Sequence, residues 1–132
     1  MPKAERFEDL EIWQEARALA KKIFEITGQA DFHKDFGYIN QINNAAGSIM
    51  DNIAEGFERN GRKEFMQFLS IAKGSAGEVR SQLHRGFDRK YFTPEVYNEL
   101  MEHIIKVSKR LSVLISTLNQ SIYTGTKYKT KV

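Results

Sequence analysis

Residues 48–82, SIMDNIAEGFERNGRKEFMQFLSIAKGSAGEVRSQ, confine what this chain can fold into more than any other stretch. Two helical patterns meet there at a short Asn60-Gly61 break. In the first, Ile39, Ile42, Ala46, Ile49 and Ile53 recur at alternating steps of three and four, the spacing of a bundle seam. In the second, Phe65, Leu69, Ala72, Ala76, Val79 and Leu83 do the same. Glycine tolerates the left-handed backbone that a helix exit often needs, so Gly61 is the expected turning point. Two long amphipathic helices joined so tightly must pack on one another.

The flanking sequence supplies two more helices. One runs over about 10–27, with Asp9 as its N-cap and Gly28 as its stop. Leu10, Trp13, Ala16, Ala20, Ile23 and Thr27 share a face that Leu19 and Phe24 widen. The next helices span about 35–59 and 62–88, and a loop follows at residues 89–92. Thr93 then caps a helix over 94–121, and Pro94 sits in its first turn, where a missing N–H does no harm. Its stripe is Leu100, Ile104, Val107, Leu111, Leu114 and Leu118. No segment alternates with period two for long enough to form a strand. Short connections favour antiparallel neighbours. The expectation is all-α: one domain over 1–122, an antiparallel up-and-down four-helix bundle, with a basic tail at 123–132.

Composition narrows the function classes. The chain has 132 residues, no cysteine and only two prolines, Pro2 and Pro94. Disulfides and thiolate metal sites are therefore out. No apolar run approaches the roughly 20 residues that cross a bilayer, and the charged start MPKAERFEDLE does not read as a signal peptide. A cytoplasmic location is the expectation. The net charge of +3 is unevenly spread. Residues 1–60 hold 7 Lys/Arg against 11 Asp/Glu, whereas residues 61–132 hold 13 against 6. Such asymmetry suits an acidic partner or association between unlike faces.

A second stripe accompanies the apolar one on each central helix. Ala45, Ser48, Asn52, Glu55 and Arg59 share a face of one. Phe68, Ile71, Ser75, Glu78 and Gln82 hold the equivalent place on the other. Glycines inside these helices, each costing about 1 kcal/mol against alanine, imply that something approaches the backbone closely. The structural reading is tight packing with a mutually satisfied polar network of Asn52, Glu55, Arg59, Ser75 and Glu78. The alternative is a carboxylate pair, Glu55 with Glu78, for acid–base work.

These residues also carry a resemblance. Phe7-Glu8-Asp9-Leu10-Glu11-Ile12-Trp13-Gln14 opens the chain. Gln41-Ile42, Ala45-Ala46, Ser48-Ile49 and Asn52-Ile53-Ala54-Glu55-Gly56-Phe57 follow, and Arg59 fits as well. Then come Glu64-Phe65, Phe68-Leu69, Ile71-Ala72, Gly74-Ser75 and Glu78. In this pattern, over about Phe7 to Leu118, the chain resembles the four-helix-bundle proteins encoded within intervening sequences of bacterial 23S rRNA genes. One departure is His33, where the family often has a proline before its second helix. The resemblance implies a subunit of a ring-like homopentamer and no known reaction. Similar subunits serve as accessory proteins of diversity-generating retroelements, where a basic pentamer engages nucleic acid and a reverse transcriptase.

The residues themselves point the same way on partners. Arg80, Arg85, Arg89 and Lys90 cluster near the exit of the third helix, and Lys127, Lys129 and Lys131 lie in the tail. Such side chains bind phosphates by releasing counterions. Tyr91, Phe92, Tyr123 and Tyr128 interleave them and are able to stack on unpaired bases. RNA or DNA binding, led by the backbone and tolerant of sequence, is the expected role. A protein-interaction scaffold is the rival. No catalytic residue, cofactor or metal site is assigned. His33, His84 and His103 are scattered, none follows a glutamate by three residues, and the di-iron Glu-x-x-His signature is absent. Lys73-Gly74-Ser75 lacks the order and spacing of a phosphate loop.

Overall fold

The computed structural model describes residues 4–120. A 3₁₀ turn, Phe7–Asp9, precedes four helices: α1 (Glu11–Thr27), α2 (Phe36–Glu58), α3 (Arg62–Asp88) and α4 (Pro94–Gln120). No strand occurs among the described residues. At 1.5 Å per residue, α3 and α4 are each about 40 Å long. Each helix packs on two others, so that α1, α2, α3 and α4 follow one another around a common core and α4 returns to α1. The tail lysines Lys127, Lys129 and Lys131, together with Tyr123 and Tyr128, lie outside the described residues.

The core follows the heptad-like stripes. All six stripe residues of α3 and all six of α4 are buried. Fully burying each large aliphatic or aromatic side chain contributes about 1.5–3 kcal/mol, so these stripes hold the helices in place. In the α1 stripe Leu10, Trp13, Ala16, Leu19, Ile23 and Thr27 are buried as expected and Ile12 joins them, whereas Phe24 is 67% exposed. On α2, Tyr38 joins the core beside Ile42. Thr93 caps α4 by accepting the Val96 N–H at 3.2 Å.

Two caps differ from the expected ones. Asp9 belongs to the 3₁₀ turn, and its carboxylate accepts the backbone N–H groups of Glu5 and Arg6. Leu10 occupies the N-cap of α1 instead, with its side chain in the core. At the α2 exit, Asn60 takes the left-handed conformation (φ 60°) and Gly61 is extended at the start of α3. Asparagine also tolerates that region, which leaves the glycine free to open the next helix.

The central helices meet more selectively than the sequence implied. Gly56 and Gly86 are true close-approach positions. A Cβ at Gly56 would lie 2.6 Å from Phe68 Cβ, and one at Gly86 would lie 2.5 Å from Phe92 Cε2. A Cβ at Gly47, Gly74 or Gly77 would meet nothing within 4 Å.

The polar network is also smaller than expected. Ser48 and Ser75 hydroxyls lie 3.0 Å apart across the seam, and Asn52 donates to Ser48 Oγ at 2.9 Å. Glu55 pairs with Arg59 at 3.0 Å, but that pair is exposed. Glu78 is exposed with no partner among the described residues. The reason is helical geometry. Relative to the buried Ile49, Asn52 lies about 60° around the helix and Glu55 about 120°. Asn52 therefore reaches the seam's edge, while the carboxylate swings into water, where charge is cheaply solvated.

Candidate functional site

The start of α2, the exit of α3 and the loop between α3 and α4 meet at one end of the bundle, and a single carboxylate ties them. Asp35 is the N-cap of α2, and its Oδ1 accepts the Tyr38 N–H at 3.1 Å. Its Oδ2 accepts the Tyr91 hydroxyl at 2.6 Å and Arg89 Nη1 at 3.4 Å. Those contacts hold its pKa below the ordinary value, led by the Tyr91 hydroxyl, then the Tyr38 N–H, with Arg89 adding to both. The hydrogen bond to Asp35 in turn raises Tyr91. Burial raises Tyr38, whose hydroxyl donates to the Gln82 carbonyl at 2.5 Å. A carboxylate held charged and two phenols held neutral form a stable tie, poorly suited to proton transfer.

Aromatic rings gather around this tie. Phe32 packs edge-on to Tyr91 at 5.9 Å between centroids, and His33 stacks on Tyr91 at 4.9 Å. Across α3 and α4, Phe87 stacks on Tyr97 at 4.2 Å. Between them lies an open groove of about 700 Å³. Phe32, His33, Phe87 and Tyr91 give it aromatic surface, and Asp31, Asp88 and Lys90 line it with charge.

The four basic residues near the α3 exit do not form one cluster. Arg85 and Arg89 are one turn apart on the α2 side. Arg85 donates to Gln41 Oε1 at 2.9 Å, with its guanidinium 5.6 Å from the Tyr38 ring centroid. Arg80 is about 140° around the helix from Arg85, nearer the α4 side where His84 and Phe87 meet Tyr97. Lys90 leaves the helix in the left-handed conformation (φ 62°), its side chain exposed and with no partner among the described residues.

The family model for the 23S rRNA-intervening sequence protein matches residues 8–113 of this architecture. The chain belongs to that family. A crystal structure of a protein of unknown function from the S23 ribosomal protein family of Bacteroides thetaiotaomicron shares the fold. It aligns with a TM-score of 0.72 at 24% identity, covering 79% of this chain and 97% of that one. No curated protein matches the chain. No helix among the described residues is long and apolar enough to cross a membrane. Nor does any group of three His, Asp or Glu among them stand ready to hold a metal ion.

Several residues of this end escaped the sequence reading. Phe32 and His33 share the groove with Phe87, which lies far along the chain, and no spacing rule joins them. Asp35 was legible as a helix start but not as a partner of Tyr91, 56 positions away. Phe92, read as a stacking residue, is only 6% exposed and belongs to the core.

Proposed function

We propose that this protein is a non-enzymatic, self-assembling subunit of the antiparallel up-and-down type that binds RNA or DNA through basic residues at the α3 exit. One observation carries the reading. Lys90 holds the left-handed position of a helix exit, where glycine is the usual occupant. A residue other than glycine or asparagine there costs about 1–2 kcal/mol, and strain of this kind concentrates at functional positions. The lysine so placed projects beside Arg89 and an aromatic groove.

Self-assembly is supported by exposed apolar residues, Phe24, Phe36, Ile71 and Val113. The open positions of Gly47, Gly74 and Gly77 support it as well, since their helix penalty answers to no neighbour inside the subunit. Five copies is the number the family resemblance implies. Repetition around a ring would turn one weak basic patch into a multivalent one. A cytoplasmic location fits this role.

The test is a salt series. Binding of unpaired and structured RNA and of single-stranded DNA is followed by gel shift, with the oligomer checked by light scattering. Affinity should fall linearly on logarithmic axes as salt rises. Replacing Arg85, Arg89 and Lys90 together by alanine should flatten that slope by about 1 for each phosphate no longer neutralised. An intact oligomer that binds no nucleic acid at low salt would instead favour the protein scaffold.

A further inference from the structure

Resting on that nucleic-acid reading, we infer that the groove at this end of the bundle captures an unpaired nucleobase, so that the protein prefers single strands to duplexes. The argument starts from two rings. Phe87 has one face stacked on Tyr97 and His33 has one face stacked on Tyr91, and both line the groove. Each is held from behind by a tyrosine whose own hydroxyl is bonded, Tyr97 to His84 Nδ1 and Tyr91 to Asp35. A stacking surface fixed in this way loses little side-chain entropy when a flat ring settles on it.

The charges select the part of the nucleotide that enters. Asp31 and Asp88 line the groove. Carboxylates repel a phosphate but accept hydrogen bonds from the amino groups of a base edge. Lys90 lines the groove too, and Arg89 and Arg85 are exposed on the adjoining flank of α3. A strand whose phosphates follow these cations would leave its base free to turn inward. The groove's volume of about 700 Å³ suits a small planar ligand with part of its sugar. A base pair in a duplex keeps both faces stacked and offers none to Phe87 or His33, whereas unpaired bases stack readily on aromatic side chains.

The experiment compares three probes at one salt concentration by fluorescence anisotropy: an oligoadenylate strand, an abasic strand of equal length and charge, and the corresponding duplex. The oligoadenylate should bind about tenfold more tightly than the abasic strand, the scale set by stacking one base. Phe87→Ala and His33→Ala should each shrink that ratio toward one and leave the abasic affinity unchanged, while Phe87→Trp should restore it. Both residues are exposed, and unaltered helical circular dichroism would show that the variants fold. Equal affinity for the base-containing and abasic strands, with binding still steeply salt-dependent, would overturn the groove inference alone. Binding of neither strand at low salt would overturn both it and the reading beneath it.

Discussion

The exits of α2 and α3 share one backbone shape and differ in what occupies it. Asn60 and Lys90 have φ of 60° and 62°. Each turns its N–H back to a carbonyl three residues earlier, Asn60 to Phe57 at 3.2 Å and Lys90 to Phe87 at 2.9 Å. At α3 the turn is completed by the Tyr91 N–H on the Gly86 carbonyl at 2.8 Å, which is the full Schellman arrangement. Asparagine is a common occupant of this position, and lysine is not. Around Asn60, away from the aromatic groove, stand exposed charges of both signs: Glu55 paired with Arg59, then Glu58, Lys63 and Glu64. Around Lys90 stand the aromatic groove and two arginines. Where only a turn is needed, the residue obeys local preference. Where it departs from that preference, a groove lined by aromatic and charged side chains lies beside it.

The largest effect that would test this contrast is at the neighbouring glycines. Gly86→Ala would drive a Cβ onto the Tyr38 hydroxyl, to 2.9 Å from Tyr38 Cζ and 2.5 Å from Phe92 Cε2. Both rings are buried and the phenol is hydrogen-bonded, so neither has room to withdraw. A loss of about 1–3 kcal/mol in urea denaturation is expected. Gly61→Ala meets chiefly the carboxylate end of Glu64, an exposed and flexible side chain. It should change stability by no more than about 0.5 kcal/mol. Equal losses at the two sites would mean that the α3 exit is no more tightly built than the α2 exit.

The next effect separates fold from binding at Lys90 itself. Lys90→Gly should stabilise the subunit by up to about 1 kcal/mol, because it relieves a left-handed side chain. It should also weaken single-strand binding several-fold at low salt. Lys90→Ala keeps the strain and removes only the charge, so affinity should fall with stability nearly unchanged. Asn60→Gly, the matching change at the other exit, should move stability by only a few tenths of a kcal/mol and leave binding untouched. If Lys90→Gly destabilised the protein, the lysine would be serving the fold.

Periodicity made the four helices legible, because a buried face must repeat every three or four residues whatever the neighbours are. Thr93 was legible as a cap for a similar reason, since its partner lies three residues away, whereas Asp35 was legible only as the place where a helix starts. The α2 exit was half legible: Asn60-Gly61 marked the turn, but which residue would bear the positive φ depends on how the next helix begins. The polar stripes misled because spacing says which residues share a face and says little about how far that face has rotated from the core. Glu55 and Glu78 therefore looked like partners of Asn52 and Ser75 and instead face water. The groove was legible on one side alone: Lys90 and Tyr91 were named as binding residues, but not the residues that face them. His33 comes from the α1–α2 connection and Phe87 from the last turn of α3, and the tie through Asp35 and Tyr91, with the rings packed around it, brings these segments together.

The smallest effect distinguishes the α3 exit from the rest of the bundle by pH. Burial lowers the pKa of His103, on α4, from its ordinary 6.5; Lys22 and Lys106 push the same way, and Glu15 opposes them. The unfolded chain then takes up the proton first. The stability this group carries is present above pH 6.5 and is lost as pH falls through the lower folded value. Asp35 behaves with the same sign in a lower window. Its carboxylate is favoured by the fold, so its contribution is present above about pH 3.8 and disappears as pH falls through its depressed folded value. Two small steps are therefore expected in thermal midpoint against pH, the upper removed by His103→Gln and the lower by Asp35→Asn. Asparagine keeps an oxygen to cap α2, so only the charge-dependent tie to Arg89 and Tyr91 is weakened. Amide exchange resolved by residue should show acid loosening the α3 exit at Lys90 and Tyr91 while the α2 exit at Asn60 stays closed. Simultaneous opening of both exits would mean that Asp35 stabilises the bundle as a whole rather than the end that carries the groove.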